Sequence, residues 1–197
     1  MDKQLRSPGR RRGLTAGVAL AALALAVPAT AALANVVLNQ ITKGDATITM
    51  TDAARSELAA HHVTVTASGE ATDGQGVTFP VVEGELDLTL TSGSVKFAGG
   101  LTFRRDDGLA VTFADPVVDL DSEGATATVD GGAQQLPFYG FDSRDFSIDV
   151  SLTSLSARNI KMAFSKEAVD RLNTAFGTQF TAGEQLATAT GGVEFGL

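Results

Sequence analysis

Tyr139 is the one tyrosine in this 197-residue sequence, and it stands in the run Gln135-Leu136-Pro137-Phe138-Tyr139-Gly140-Phe141, with Phe146 close behind. A phenol among aromatic rings offers a ligand oxygen beside a flat apolar wall, which suits a porphyrin or another hydrophobic molecule. The same residues also read as a packing cap between a loop and a strand. His61-His62 follows a helical segment and could lend an imidazole to a metal or to a phenolate; adjacent histidines at an exposed helix end explain the pair as well. Asp119-Leu120-Asp121-Ser122-Glu123-Gly124, followed by Asp130, puts oxygen ligands at positions 1, 3, 5 and 12 of a calcium loop, with glycine at position 6. Position 5 is Glu, position 12 is Asp and the flanks read as strands, so an acidic hairpin turn accounts for the same residues. The candidate ligand-binding residues are therefore Tyr139, His61, His62, Phe138 and Phe141, with no catalytic residue and no metal site assigned. Catalysis lacks a motif: there is no cysteine, no G-x-S-x-G, no H-E-x-x-H and no phosphate loop. The chain reads as a binding protein, not an enzyme.

Alternating side chains share one face of a strand, and that parity predicts the elements that carry these residues. Val95, Phe97, Leu101 and Phe103 are odd-numbered and apolar, as are Leu109, Val111 and Phe113 beyond Asp106-Asp107-Gly108. Only a three-residue loop keeps one apolar face, and it sets Phe103 opposite Val111 and Leu101 opposite Phe113. Gly108 supplies the left-handed residue at the end of such a loop. Arg104, Arg105 and Thr112 then face water or a polar partner, and Pro116, which has no N–H, ends the ladder. Leu86, Leu88 and Leu90 read as a half-buried strand, and so do Phe146, Ile148, Val150 and Leu152; residues 118–129 read as another hairpin. Short strands with Gly, Asp and Ser turns predict a mainly β fold, an antiparallel β sandwich or partly open barrel.

Two segments depart from the β pattern and resemble each other at an offset of 114: residues 48–58 and 162–172. Each reads as a strand running into a short helix. Thr51 and Ser165 are the expected N-caps, Ala54/Leu58 and Ala168/Leu172 the apolar stripes, and Gly177 the stop of the second helix. The two units are expected to flank the β core in equivalent ways.

Lys3, Arg6, Arg10, Arg11 and Arg12 precede an uncharged apolar run and then small residues, the layout of a signal peptide over residues 1–34. No charge occurs between Arg12 and Lys43, so an uncleaved anchor reaching about Leu38 is the alternative. The Arg11-Arg12-Gly13-Leu14 order fits either the twin-arginine route or an ordinary export signal. The expected location is extracytoplasmic, secreted or on the cell surface, as one β-rich domain over residues 35–197. Without the five basic residues and one acidic residue of the leader, 10 basic and 22 acidic residues remain, a net charge of about −12. Such a domain repels nucleic acid and anionic lipid, and contacts a membrane only through an uncleaved N-terminal segment. With no cysteine, its stability rests on burial and strand pairing.

Gly93 to Phe97 (a G-x-V-x-F strand), the Gly99-Gly100 turn, the Ala114 to Leu120 step and, within Phe164 to Gly183, a Ser/Thr-capped helix followed by an aromatic and a glycine together resemble the HtaA-like domains, surface haem-acquisition modules of actinobacteria. The resemblance spans residues 82–195 and implies a β sandwich with short helices displayed outside the membrane. It also implies haem, held in that family by an axial tyrosine near the start of the domain with a histidine supporting the phenolate. No tyrosine or tryptophan occurs between Asn35 and Phe138, so Tyr139 with His61 or His62 is the available set. The function expected is binding of haem or another hydrophobic small molecule. The alternative is a structural or interaction module that contacts proteins or wall polymers of the cell envelope.

Overall fold

The computed structural model describes residues 37–196. The signal peptide expected over residues 1–34, and most of the alternative anchor to about Leu38, lie outside the described residues. The elements in chain order are β1 (Asn39–Met50), α1 (Asp52–Ala60), β2 (Val63–Ser68), β3 (Thr72–Asp73), β4 (Val77–Leu86), β5 (Gly93–Phe97), β6 (Gly100–Arg105), β7 (Ala110–Asp119), β8 (Gly124–Val129), β9 (Gln135–Gly140), β10 (Ser147–Val150), β11 (Ser154–Phe164), α2 (Lys166–Phe176) and β12 (Gln185–Phe195). Eight of the strands close an antiparallel ring in the order β7-β5-β4-β1-β12-β11-β9-β8 and back to β7. β6 and β2 extend the sheet from β7, while β3 and β10 are annexed to β4 and β11. The fold is thus the barrel form of the expected β architecture, and closure removes the free edges of its eight ring strands.

The β6–β7 hairpin has the register its parity requires: Phe103 faces Val111 and Leu101 faces Phe113. Gly108 takes a φ of +93°, and its N–H donates to the Arg105 carbonyl at 2.9 Å. Pro116 does not end the ladder, contrary to expectation, because β7 runs on to Asp119. The strand absorbs the proline in a bulge, where Asp115 turns to a φ of +50° and its N–H donates to the Gly99 carbonyl at 2.8 Å. At a bulge no ladder hydrogen bond is lost for want of a proline N–H. Gly99 bends the opposing chain at the same level, so β6 pairs the first part of β7 and β5 pairs the last.

Two further strand expectations are corrected. The strand at Leu86 stops there, because the Asp87 carboxylate accepts hydrogen bonds from the Thr91 and Ser92 N–H groups and from the Thr89 and Thr91 hydroxyls. Those bonds wind residues 87–92 into a turn, with Leu90 buried at positive φ. The strand at Ile148 and Val150 forms, but it is not half-buried. β10 stands outside the ring, and no layer among the described residues lies over its apolar face, which leaves Ile148 39% and Val150 47% exposed.

The two strand–helix units flank β12 from either side, β1 by pairing Ile48 with Ala189 and β11 by pairing Met162 with Ala187. Both strands are antiparallel to β12, so both helices start at the same end of the barrel. Thr51 Oγ1 accepts the Ala54 N–H at 3.2 Å and Ser165 Oγ accepts the Ala168 N–H at 3.0 Å. Gly177 ends α2 in the left-handed region, with its N–H on the Asn173 carbonyl. Beneath the helices lies an aromatic layer in which Phe113 stacks on Phe138 with centroids 4.6 Å apart, while Phe103 and Phe164 approach those two rings edge-on.

A candidate ligand cavity in the open half of the barrel

The strand that both helical units share explains why the other half of the barrel is hollow. Ala187, Ala189 and Gly191 follow one another along the inward face of β12, and Ala46 of β1 and Ala157 of β11 both stand opposite Gly191. A Cβ on Gly191 would lie 3.0 Å from the Asp45 carbonyl oxygen, so β1 and β12 approach too closely for a larger residue. Small side chains on three adjacent strands leave a cavity of about 110 Å³. Its wall is completed by Leu86, Leu90, Val95, Phe97, Val118, Leu120, Leu155, Ile160 and Val193, and by Tyr139, Phe141 and Phe146. Nearly all of this surface is hydrocarbon.

A bulge in β9 aims Tyr139 into this space. Ala125 pairs with Tyr139 and Thr126 with Pro137, which leaves Phe138 as the extra residue and turns two successive rings inward. Their centroids are 5.1 Å apart. Phe138 is wholly buried in the aromatic layer and does not line the cavity, whereas Tyr139 does, beside the edge-on pair Phe141 and Phe146. Burial pushes the Tyr139 phenol well above its ordinary value, and no charge or hydrogen bond counters it. The phenol is therefore held in its neutral form.

The histidines belong to the helical end. His61 caps α1, its Nε2 lies 3.4 Å from Glu57, and it packs near Gly177 at the end of α2. His62, in the left-handed region, accepts the Asp106 N–H on its carbonyl and turns its ring to the Asp106 carboxylate at 3.7 Å. Neither lines the Tyr139 cavity. The calcium-like spacing folds as the β7–β8 hairpin: Asp119 accepts the Ser122 N–H at 2.8 Å at one end, and Asp130 accepts the Thr112 N–H at 2.8 Å at the other. Among the described residues its carboxylates do not converge.

These residues do not fit haem. The Tyr139 cavity lies far below the roughly 300–1,000 Å³ of sites that enclose drug-sized ligands, and it offers neither an imidazole nor a cation to a phenolate. A second hollow, of about 460 Å³, runs beside α1 between Met50, Arg55, Leu58, Ala59 and residues 73–77, and no tyrosine, histidine or cysteine lines it. Arg55 is already engaged there, by the Met50 carbonyl at 2.6 Å and by Asp52.

Of the residues singled out in the sequence, Tyr139 and Phe141 line this cavity, and most of its wall is not among them. The available signal is the alternation Ala187, Ala189, Gly191 against Thr188 and Thr190, a stretch of strand with no large side chain on its inward face before Val193.

Comparison with solved structures shows the same fold. The chain is similar to the C-terminal domain of HtaA from Corynebacterium glutamicum, with a TM-score of 0.60, 20% identity, and 81% of this chain and 100% of that one covered. It is similar also to the N-terminal domain of HtaA from that organism, with a TM-score of 0.52, 15% identity, and 80% and 99% covered. A domain-swapped dimer variant of the C-terminal domain matches with a TM-score of 0.51, 21% identity, and 72% and 87% covered. No curated protein matches the chain. Residues 54–192, the greater part of the sequence, match the family described as Htaa, and the chain belongs to the HtaA domain family.

Proposed function

We propose that the chain is a non-enzymatic, extracytoplasmic binding domain that takes a small apolar ligand, or the apolar end of a larger one, into the open half of its barrel. The cavity carries this reading. It is somewhat smaller than an engineered apolar cavity of about 150 Å³ that stays dry and binds benzene. A hydrocarbon wall with a single neutral phenol selects by shape and exclusion of water, and Tyr139 adds one hydroxyl to orient a ligand that carries a polar atom. The signal-like layout of residues 1–34 supports export, and the want of a nucleophile–base pair around Tyr139 supports a binding role.

Two titrations test it. Toluene raises the melting temperature in a saturable way, since a ligand that binds only the folded state stabilises it by mass action. Haemin gives no Soret shift that Tyr139→Phe removes. A melting temperature indifferent to toluene overturns the cavity reading, and a Tyr139-dependent Soret shift restores haem.

A further inference from the structure

We infer that the open end of the barrel is a membrane-docking rim whose partner is the surface of a lipid bilayer. Seven large apolar residues are exposed among the described residues, and five of them gather at this end: Val37, Leu88, Ile148, Val150 and Leu152. They come from separate segments. Val37 leads into β1 just before Asn39 pairs with Leu86, and Leu88 sits in the turn that follows. Ile148 and Val150 face Ala157 and Leu155, so the apolar face of β10 continues the cavity wall outward into water. Leu152, 87% exposed, tops the β10–β11 turn, where the Thr153 carbonyl accepts the Phe195 N–H.

Such convergence from distant stretches of sequence makes a patch, whereas singly scattered apolar residues need no explanation. The chain itself points to the occupant. The sequence holds no charge from Gly13 to Leu38, a run longer than the roughly 20 residues that cross a bilayer, and it joins the described barrel at this rim. If that run stays uncleaved it holds Val37 at the lipid, and Leu88 and Leu152 share the end of the barrel on which Val37 lies. The carboxylates Glu85, Asp121, Asp149 and Glu194 stand around the same end, so the contact works by burial of apolar side chains and favours zwitterionic over anionic lipid.

The absence of tryptophan gives a clean test. Leu152→Trp, Leu88→Trp and Leu109→Trp are each introduced singly into the full chain reconstituted in phosphatidylcholine vesicles, with and without brominated acyl chains. Leu109 is exposed like Leu88 but sits at the tip of the β6–β7 hairpin, beside the helices. The first two variants lose emission to bromine and shift to the blue, while the third does neither. Unquenched emission from both Leu152→Trp and Leu88→Trp, or equal quenching of all three, overturns the inference, and neither result depends on whether the cavity binds toluene.

Discussion

Replacing Ala157 by isoleucine separates a working cavity from ordinary core. Ala157 lies on β11 between Ile148 of β10 and Gly191 of β12, and it lines the cavity. The substitution adds three carbons, worth about 2.4 kcal/mol at roughly 0.8 kcal/mol for each buried methylene. Fixing the longer side chain costs about 0.5–1 kcal/mol, which leaves a gain of about 1.5 kcal/mol. A domain of this size gains about 2–4 °C in melting temperature per kcal/mol, so a rise of about 3–6 °C follows. In a close-packed interior the same change forces side chains off their rotamers and costs about 1–3 kcal/mol, so the two readings differ in sign. Urea denaturation with an unchanged m-value measures the stability, and repeating the toluene titration measures the function. A more stable variant that no longer responds to toluene is expected. Destabilisation by more than about 1 kcal/mol would refute the reasoning, because it would show that the barrel has no room to give.

Other expectations concern the frame. Thr51→Ala and Ser165→Ala each lose an N-cap worth about 1 kcal/mol in urea denaturation, and the second loses more because the Ser165 hydroxyl also donates to the Pro137 carbonyl at 2.8 Å. Gly108→Ala, with nothing within 4 Å of the new carbon, costs about the 1–2 kcal/mol of the left-handed conformation alone. Gly99→Ala adds a Cβ 2.3 Å from the Ala71 nitrogen and is expected to cost clearly more in the same assay. Burial would push the Asp87 carboxyl up, but hydrogen bonds from Thr89, Thr91 and Ser92 outweigh it and hold the group below its ordinary value. A depressed carboxyl stabilises the fold above its unfolded value and loses that contribution as pH falls through the folded one. The protection factors of the Thr91 and Ser92 amides are therefore expected to fall on acidification below about pH 4, and to hold steady there in Asp87→Asn.

What the sequence discloses is local, and the physics of each element shows why. The register of β6 and β7 is legible because a three-residue loop and period-two parity admit one pairing, and the strand–helix units are legible because a hydroxyl before an i, i+4 apolar stripe has few other uses. Leu86, Leu88 and Leu90 mislead because one carboxylate, that of Asp87, gathers enough donors to break an alternating strand. Pro116 misleads because its missing N–H coincides with a bulge. Ring closure is hidden in pairings between distant residues, such as Ile48 with Ala189, which periodicity does not encode. The cavity is harder still, being the space left between strands that each look ordinary alone.

The shared direction of the two strand–helix units also decides which end of the barrel is capped. Both units deliver a helix to the same end because β1 and β11 run in the same direction on either side of β12. That end is sealed by Leu58 of α1, by Leu172 and Phe176 of α2, and by the rings of Phe113, Phe138 and Phe164. At the other end the same three strands carry Ala46, Ala157 and Gly191, and no helix among the described residues covers them. Doubling the cap therefore fills one end with large side chains, while in the other half β1, β11 and β12 offer small ones to the cavity. The histidines, placed at the end of α1, fall on the sealed side, while Tyr139 lines the cavity. Bringing an imidazole to this phenol would require moving a helix terminus through the packed aromatic layer, so the separation of Tyr139 from His61 and His62 is a consequence of the architecture and not of side-chain rotamers.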